Sequence, residues 1–418
     1  EVLVLDGAMG TMLQRHQLPP EQSFVQLNVT APELVGDVHR LYNLAGADCA
    51  TTNTFGGTRI KLEAYGLGDQ VEELNRTAVR VARESGATHI LGELGPTGHV
   101  LQPLGSARFD ELFDAFAEQA AALASERPDA IQIATMTDIA EARCAVLAAR
   151  SVTDLPVFVT CTFGLSGRMD LSGTDPETAA VILEAVGASA VGLNCGLGPE
   201  QMLPLVERMA RATTLPIIVR PNAGLPRLVD GATVFPGTAE EMGAYAARFV
   251  DAGAALVGSC CGSTPSFTGA IADAVQGRPV TDREAPPSGL TLAGPRRVVR
   301  IGDGRGLVRI GERINPTGKK RLAESLRAGA LDVVREYAIE QQDAGADLLD
   351  VNVGAVGVDP SEVLPQAVLA LVGLVDLPLV LDTTDPAALE AALKVYPGRA
   401  LVNSVSGEEA SLAAVLPL

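Results

Sequence analysis

The chain has 418 residues, 47 % of them apolar, which is enough for two or three globular domains and excludes a disordered or fibrous protein. Its net charge of −19 gives an acidic surface that repels nucleic acid and anionic lipid, so small molecules or proteins are the expected partners, with no nucleic acid and no membrane. No apolar stretch approaches bilayer length, and the six cysteines are scattered, with two adjacent, as thiols of a reducing compartment are; the expected location is cytoplasmic.

Runs rich in Val, Ile and Ala alternate with amphipathic stretches, the pattern of βα units around a parallel sheet. Strands are expected at 2–5, 47–52, 89–94, 130–135, 156–160, 190–193, 216–219 and 254–257, with helices at 31–45, 71–85, 110–125, 138–149, 176–186, 199–212, 239–252 and 266–275. Eight such units predict an α/β fold, a (β/α)8 TIM barrel over residues 1–276, whose active site lies at the carboxyl ends of the strands. Residues 277–305, with prolines at 279, 286, 287 and 295 and no periodicity, read as a linker. Alternation resumes over 306–418, with strands at 307–311, 347–351, 378–382 and 400–403 and helices at 330–344, 361–374 and 386–395. This is a second, apparently incomplete (β/α) barrel. Half a parallel barrel leaves a raw strand edge, so the native polypeptide is expected to continue beyond this sequence.

Cys195 follows the sixth strand in Asn194-Cys195-Gly196, and two more cysteines follow the eighth in Gly258-Ser259-Cys260-Cys261-Gly262. All three therefore face one rim. Three thiolates converging on a soft cation leave the fourth position of a tetrahedral zinc site open, which is the arrangement of a catalytic site. The competing reading, favoured by the absence of a CxxC pair, is that they are buried small hydrophobes. Cys49, Cys144 and Cys161 lie within apolar segments and read as core, and His16, His39, His89 and His99 show no metal spacing. Asp6-Gly7-Ala8-Met9-Gly10-Thr11 after the first strand is either a carboxylate cradle or a plain tight turn. Thr52-Asn53-Thr54-Phe55-Gly56, Gly95-Pro96-Thr97-Gly98 and Pro221-Asn222-Ala223-Gly224 follow other strands in the same way.

This ordered set of loops resembles the homocysteine S-methyltransferase family over essentially all of residues 1–275. The resemblance implies one zinc ion held by Cys195, Cys260 and Cys261, which are thereby also the catalytic residues, with the homocysteine sulfur as fourth ligand. It further implies that amides near Ala8 and Met9 and the Thr54-Phe55 turn hold the substrate carboxylate. Asp6 and Asn222 would orient the site, or merely cap local structure. One departure stands out: the family usually carries Glu-Thr after the fourth strand, the glutamate taking the substrate ammonium, and this chain reads Ala134-Thr135. Either the residue was substituted deliberately, or Glu93 or Asp6 supplies that charge, or homocysteine binds weakly.

Further on, Gly311-Glu312-Arg313-Ile314-Asn315-Pro316-Thr317-Gly318, Asp350-Val351-Asn352, Leu381-Asp382-Thr383-Thr384 and Asn403-Ser404 end successive strands. They resemble the pterin-binding domain of dihydropteroate synthases and corrinoid methyltransferases. By that resemblance Glu312, Asn315, Asp350, Asn352, Asp382 and Asn403 line a methyltetrahydrofolate pocket, the alternative being strand-end polar groups satisfied among themselves. Arg313 would contact folate or form a rim salt bridge. The two modules in succession resemble the amino-terminal half of the cobalamin-dependent methionine synthases. That implies an enzyme moving a methyl group from 5-methyltetrahydrofolate, by way of methylcobalamin, to zinc-bound homocysteine thiolate, giving methionine and tetrahydrofolate. Its further partner would be a cobalamin-binding domain outside this chain. A zinc thiol methyltransferase using another donor, and a substrate-binding fragment of low activity, are the alternatives.

Overall fold

The apolar runs pair side by side as their alternation requires. β1 (Leu3–Val4), β2 (Cys49–Thr51), β3 (His89–Leu94), β4 (Ala130–Met136), β5 (Val157–Cys161), β6 (Ala190–Asn194) and β7 (Ile217–Arg220) are followed by a hairpin, β8 (Arg227–Val229) with β9 (Ala232–Val234), and by β10 (Ala254–Val257). Without the hairpin, these strands form one parallel eight-stranded sheet in the order β1-β10-β7-β6-β5-β4-β3-β2. A parallel bridge between Leu5 and Cys49, with Asp48 N donating to the Val4 carbonyl at 2.8 Å, joins its two edges into a barrel. The computed structural model describes residues 1–16, 22–229, 232–302, 304 and 306–418.

Side chains alternate along each strand, and one set from seven different strands packs together: Leu5, Cys49, Leu91, Ala130, Ala190, Ile218 and Leu256. Residues from so many strands can meet only inside the barrel. Two positions nearer the carboxyl ends, the same inner faces carry Thr51, Glu93, Gln132 and Arg220, so a polar belt sits above an apolar plug. Closure demands small residues, and a Cβ at Gly192 would lie 2.0 Å from the Ile218 carbonyl oxygen on the adjacent strand. The outer helices follow their sequence signals. Pro32, Pro176, Pro199 and Pro265 start four of them, and Asp138, Asp175 and Thr238 cap three by accepting from backbone N–H groups of the first turn. The short helix Met9–Gln14 and the hairpin β8–β9 were not expected.

The chain divides into two compact units, the first comprising 1–99, 110–171 and 175–286, the second 100–109, 172–174 and 287–418. The second unit differs from the sequence expectation at its start. Within the stretch read as linker, β11 (Leu290–Ala293) and β12 (Val298–Ile301) form an antiparallel hairpin. Leu292 and Val299 pack on Leu348 and Val380, and Ala293 bridges to Arg399. The alternating Leu-Thr-Leu and Val-Val-Arg-Ile patterns were hidden among prolines, while residues 303 and 305 lie outside the described residues.

Then β13 (Ile310–Ile314), β14 (Leu348–Val351), β15 (Leu379–Asp382) and β16 (Leu401–Asn403) make a four-stranded parallel sheet in sequence order. The first of these starts three residues later than expected, because Ile310 and Gly311 pair with Leu348 and Leu349 whereas Leu307 is 98 % exposed. Gly311 leaves room for Gln341, whose Oε1 accepts from Arg313 N at 2.7 Å. Among the described residues no helix is long and apolar enough to cross a membrane.

Candidate metal centre

β6 ends at Asn194, and Cys195 leaves it in the left-handed region at φ 58°, followed by Gly196 at φ 68°. A non-glycine residue is strained there by about 1 to 2 kcal/mol, so the surroundings must hold it. They do: Cys195 N donates to the Arg220 carbonyl at 3.0 Å, and Leu197 N to the Cys195 carbonyl at 2.7 Å. After β10, Cys260 N donates to the Pro221 carbonyl at 2.7 Å and Ala223 N to the Cys261 carbonyl at 2.9 Å. Gly262 then turns at φ 81°, where a Cβ would meet the Phe235 ring at 2.3 Å.

These turns bring the three sulfurs together. All lie within 4.8 Å of one another, Cys195 and Cys261 at 3.7 Å, and each residue is half-buried. Sulfurs about 2.3 Å from a tetrahedral zinc ion stand about 3.8 Å apart, so the trio fits that ion. No fourth Cys, His, Asp or Glu joins the cluster among the described residues. Asn194 braces it from β6. Its Nδ2 reaches Cys260 Sγ at 3.8 Å and donates to Thr135 Oγ1 at 2.7 Å, while its Oδ1 accepts from Thr135 N at 2.9 Å. Thr135 is itself left-handed at φ 63°.

Contact with Cys260 draws the Cys195 thiol down, but Cys261 and burial push it up, leaving it at about 11. Contact with Cys195 and then burial raise Cys260 to about 12; at Cys261 the pull of Cys195 is outweighed by Cys260 and burial, again giving about 12. Without a cation the trio therefore keeps its protons, and a dication would invert that preference. Cys49, Cys144 and Cys161 are buried thiols apart from this cluster.

A cavity of about 840 Å³ opens over the sulfurs, lined also by Asp6, Ala8, Met9, Phe55, Glu93, Thr135 and Arg220. Asp6 borders it with both oxygens occupied: Thr51 N and Oγ1 donate at 2.7 and 2.8 Å, and Arg220 Nη2 at 2.8 Å. Burial raises the Asp6 carboxyl, and Arg220 and Thr51 work against that rise. Ala8 and Met9 reach the wall, although Ala8 N already donates to Ser263 Oγ at 3.2 Å. Thr54 does not line the cavity. It is buried behind Phe55, its hydroxyl donating to the Glu93 carbonyl at 2.7 Å. Asn222 is buried outside the lining, with Oδ1 unpartnered among the described residues, and Ala134 is buried outside it too while its neighbour Thr135 faces in. Sequence reasoning assigned no role to Arg220, Asn194 or Thr135. An arginine closing the apolar run Ile217–Arg220 was the available signal.

In the second unit, Asp350, Asn352, Asp382 and Asn403 are linked across three strand ends. Asn352 Nδ2 donates to Asp382 Oδ2 at 2.9 Å, and Asn403 Nδ2 to Asp350 Oδ1 at 3.4 Å. Burial and then Asp382 raise Asp350 to about 6. Asn315 Oδ1 accepts from Thr317 N at 3.0 Å, forming a local turn, and Glu312 is exposed within β13 instead of following it. Arg313 pairs with Glu340 at 3.1 Å and stacks on Tyr337, the rim salt bridge of the two readings.

The homocysteine S-methyltransferase family model matches residues 3–275, and the pterin binding enzyme model matches residues 311–417. Methionine synthases of Mycobacterium tuberculosis and Mycobacterium leprae are 34 % and 32 % identical over 430 and 437 residues, across 98 % of this chain. The chain spans only 36 % of the length of each. Among solved structures, the homocysteine methyltransferase MmuM from Escherichia coli is similar in its oxidized form (TM-score 0.56, 22 % identity) and its metallated form (TM-score 0.55, 23 % identity). Each match covers 65 % of this chain and 95 % of that one, a likeness of fold.

Proposed function

Because the chain belongs to the homocysteine S-methyltransferase family, we propose that its barrel binds zinc through Cys195, Cys260 and Cys261 and methylates the sulfur of homocysteine to give methionine. The observation that carries this reading is the convergence of three sulfurs within 4.8 Å on the floor of a cavity, with no fourth protein ligand among the described residues. Bound zinc would supply a Lewis acid that keeps a thiol ligand deprotonated near neutral pH while leaving it nucleophilic. The chain's own residues do the rest. Asn194 holds Cys260 in place, and Arg220, paired with Asp6, puts a buried positive charge beside the thiolates. Phe55 and Met9 give the cavity an apolar wall, and the turn at Ala8 and Met9 borders the place for an amino acid carboxylate. Asp6 then acts through Arg220 and Thr51, and Thr54 by fixing the Phe55 turn. Asn222, with its unpartnered Oδ1, is left as an orienting group.

The methyl group is proposed to come from 5-methyltetrahydrofolate, held at the strand ends of the second unit by Glu312, Asn315, Asp350, Asn352, Asp382 and Asn403. An Asp350 carboxyl raised to about 6 is able to share a proton with a pterin ring edge. Cobalamin, on a domain outside this chain, is proposed as the carrier, and the cytoplasm, where thiols stay reduced, as the location.

The test is zinc content together with methionine formation from homocysteine and free methylcobalamin. The expected result is about one zinc per chain and turnover, both lost in Cys260→Ala. Zinc uptake with turnover from a different methyl donor alone would favour the other-donor reading, and zinc uptake with no turnover a binding fragment.

A further inference from the structure

An α-amino acid that enters sulfur-first carries its ammonium group into the cavity, where a cation withdrawn from water needs an anion or several acceptors. Two carboxylates border this cavity, Asp6 and Glu93. Asp6 already accepts three hydrogen bonds from Thr51 and Arg220, and its charge is paired with the Arg220 guanidinium. Glu93 is different. Its backbone is fixed, N donating to Thr52 Oγ1 at 2.9 Å and the carbonyl accepting from Thr54 Oγ1 at 2.7 Å and Gln119 Nε2 at 3.2 Å. Its carboxylate, however, has no hydrogen bond or ion pair among the described residues, and what it faces is the cavity. Burial raises this carboxyl to about 7, against the pull of Arg220 and with a push from Asp6, so an incoming cation has the most to offer here.

The sheet register places the group well. Glu93 pairs with Gln132, and Ala134 stands two residues further along the neighbouring strand, just before Thr135 turns into the cavity. Adjacent strands are about 4.8 Å apart and alternate residues about 6.6 Å along, which sets the two Cα positions about 8 Å apart, so that carboxylates reaching about 5 Å from each can approach one common cation. A carboxylate on β3 can thus serve the point in space that a carboxylate at position 134 would serve.

We propose that Glu93 receives the substrate's ammonium group from β3, in place of the residue at position 134 of β4, and so selects α-amino thiols over thiols that lack the amine. The assignment rests on the homocysteine reading above. If Glu93 were instead a second counter-ion for Arg220, its loss would disturb every thiol alike.

The test measures homocysteine and 4-mercaptobutanoate, the same thiol acid without its amine, binding to the zinc-loaded full chain by calorimetry, before and after Glu93→Gln. Wild-type protein is expected to prefer homocysteine. The substitution is expected to weaken homocysteine about tenfold or more and to leave 4-mercaptobutanoate unchanged, with zinc content unaltered. Equal weakening of both thiols, no change in either, or a wild-type protein without preference overturns the assignment alone. A zinc-loaded wild-type protein that binds neither thiol removes the homocysteine reading, and this assignment with it.

Discussion

Asn194 shows how much of the site rests on one amide. It ties two left-handed residues' surroundings together, through Thr135 on one side and the neighbouring Cys195 on the other, and reaches the Cys260 sulfur. Asn194→Ala is expected to keep the barrel folded yet weaken zinc binding about 10- to 100-fold in competition with a chelator, since outer partners of metal ligands carry effects of that size. The thiols predict the pH dependence. All three are pushed up to about 11 or 12, so binding a dication at neutral pH displaces their protons. Zinc affinity should rise with pH, log K climbing with a slope near three between about pH 6 and 8; a slope near one would mean that a single thiol binds. Asp350 offers the opposite case. Its folded carboxyl titrates at about 6 against 3.8 ordinarily, so between those values the folded state holds more protons and stability falls as pH rises. Asp350→Asn should therefore stabilise the second unit at pH 7 by about 1 to 2 kcal/mol and bring no gain at pH 4, read from thermal melts.

The elements explain why the cysteines meet. Each lies just past the carboxyl end of a barrel strand, and β6 and β10 flank β7 in the sheet. Sequence-distant thiols thus become neighbours by strand order, and the turns at Cys195 and Gly262 aim the sulfurs inward. Close strand approach at Gly192 is part of the same arrangement. Gly192→Ala puts a methyl against the Ile218 carbonyl and should destabilise the barrel by about 3 kcal/mol in urea denaturation, more than the usual surface substitution. The second sheet was legible by type, though its first strand was misplaced. Around residue 307 apolarity alone cannot separate an exposed leucine from a strand, and only the pairing of Ile310 with Leu348 settles the register.

At the scale of the whole chain, two compact units with separate cores should unfold in two steps. The three cysteines proposed as zinc ligands all lie in the first unit. Differential scanning calorimetry should show one transition rising on zinc addition, by about 2.7 kcal/mol of stability at a hundred times the dissociation constant, and falling with chelator while the other stays put. Movement of both transitions together would contradict independent units.

Eight βα units, the carboxyl-end placement of three cysteines and the polar strand ends of the second sheet could all be read from residue order, because periodicity and punctuation are local properties of the chain. The commitment of Asp6 to Arg220 and Thr51, the bracing by Asn194, the withdrawal of Thr54 and Asn222 from the cavity wall and a Glu93 carboxylate without a partner among the described residues were decided only by the closed barrel. Each depends on which side chains from distant strands share one layer and compete for the same hydrogen-bond partners. Residue order cannot express that competition, and the closed barrel resolves it.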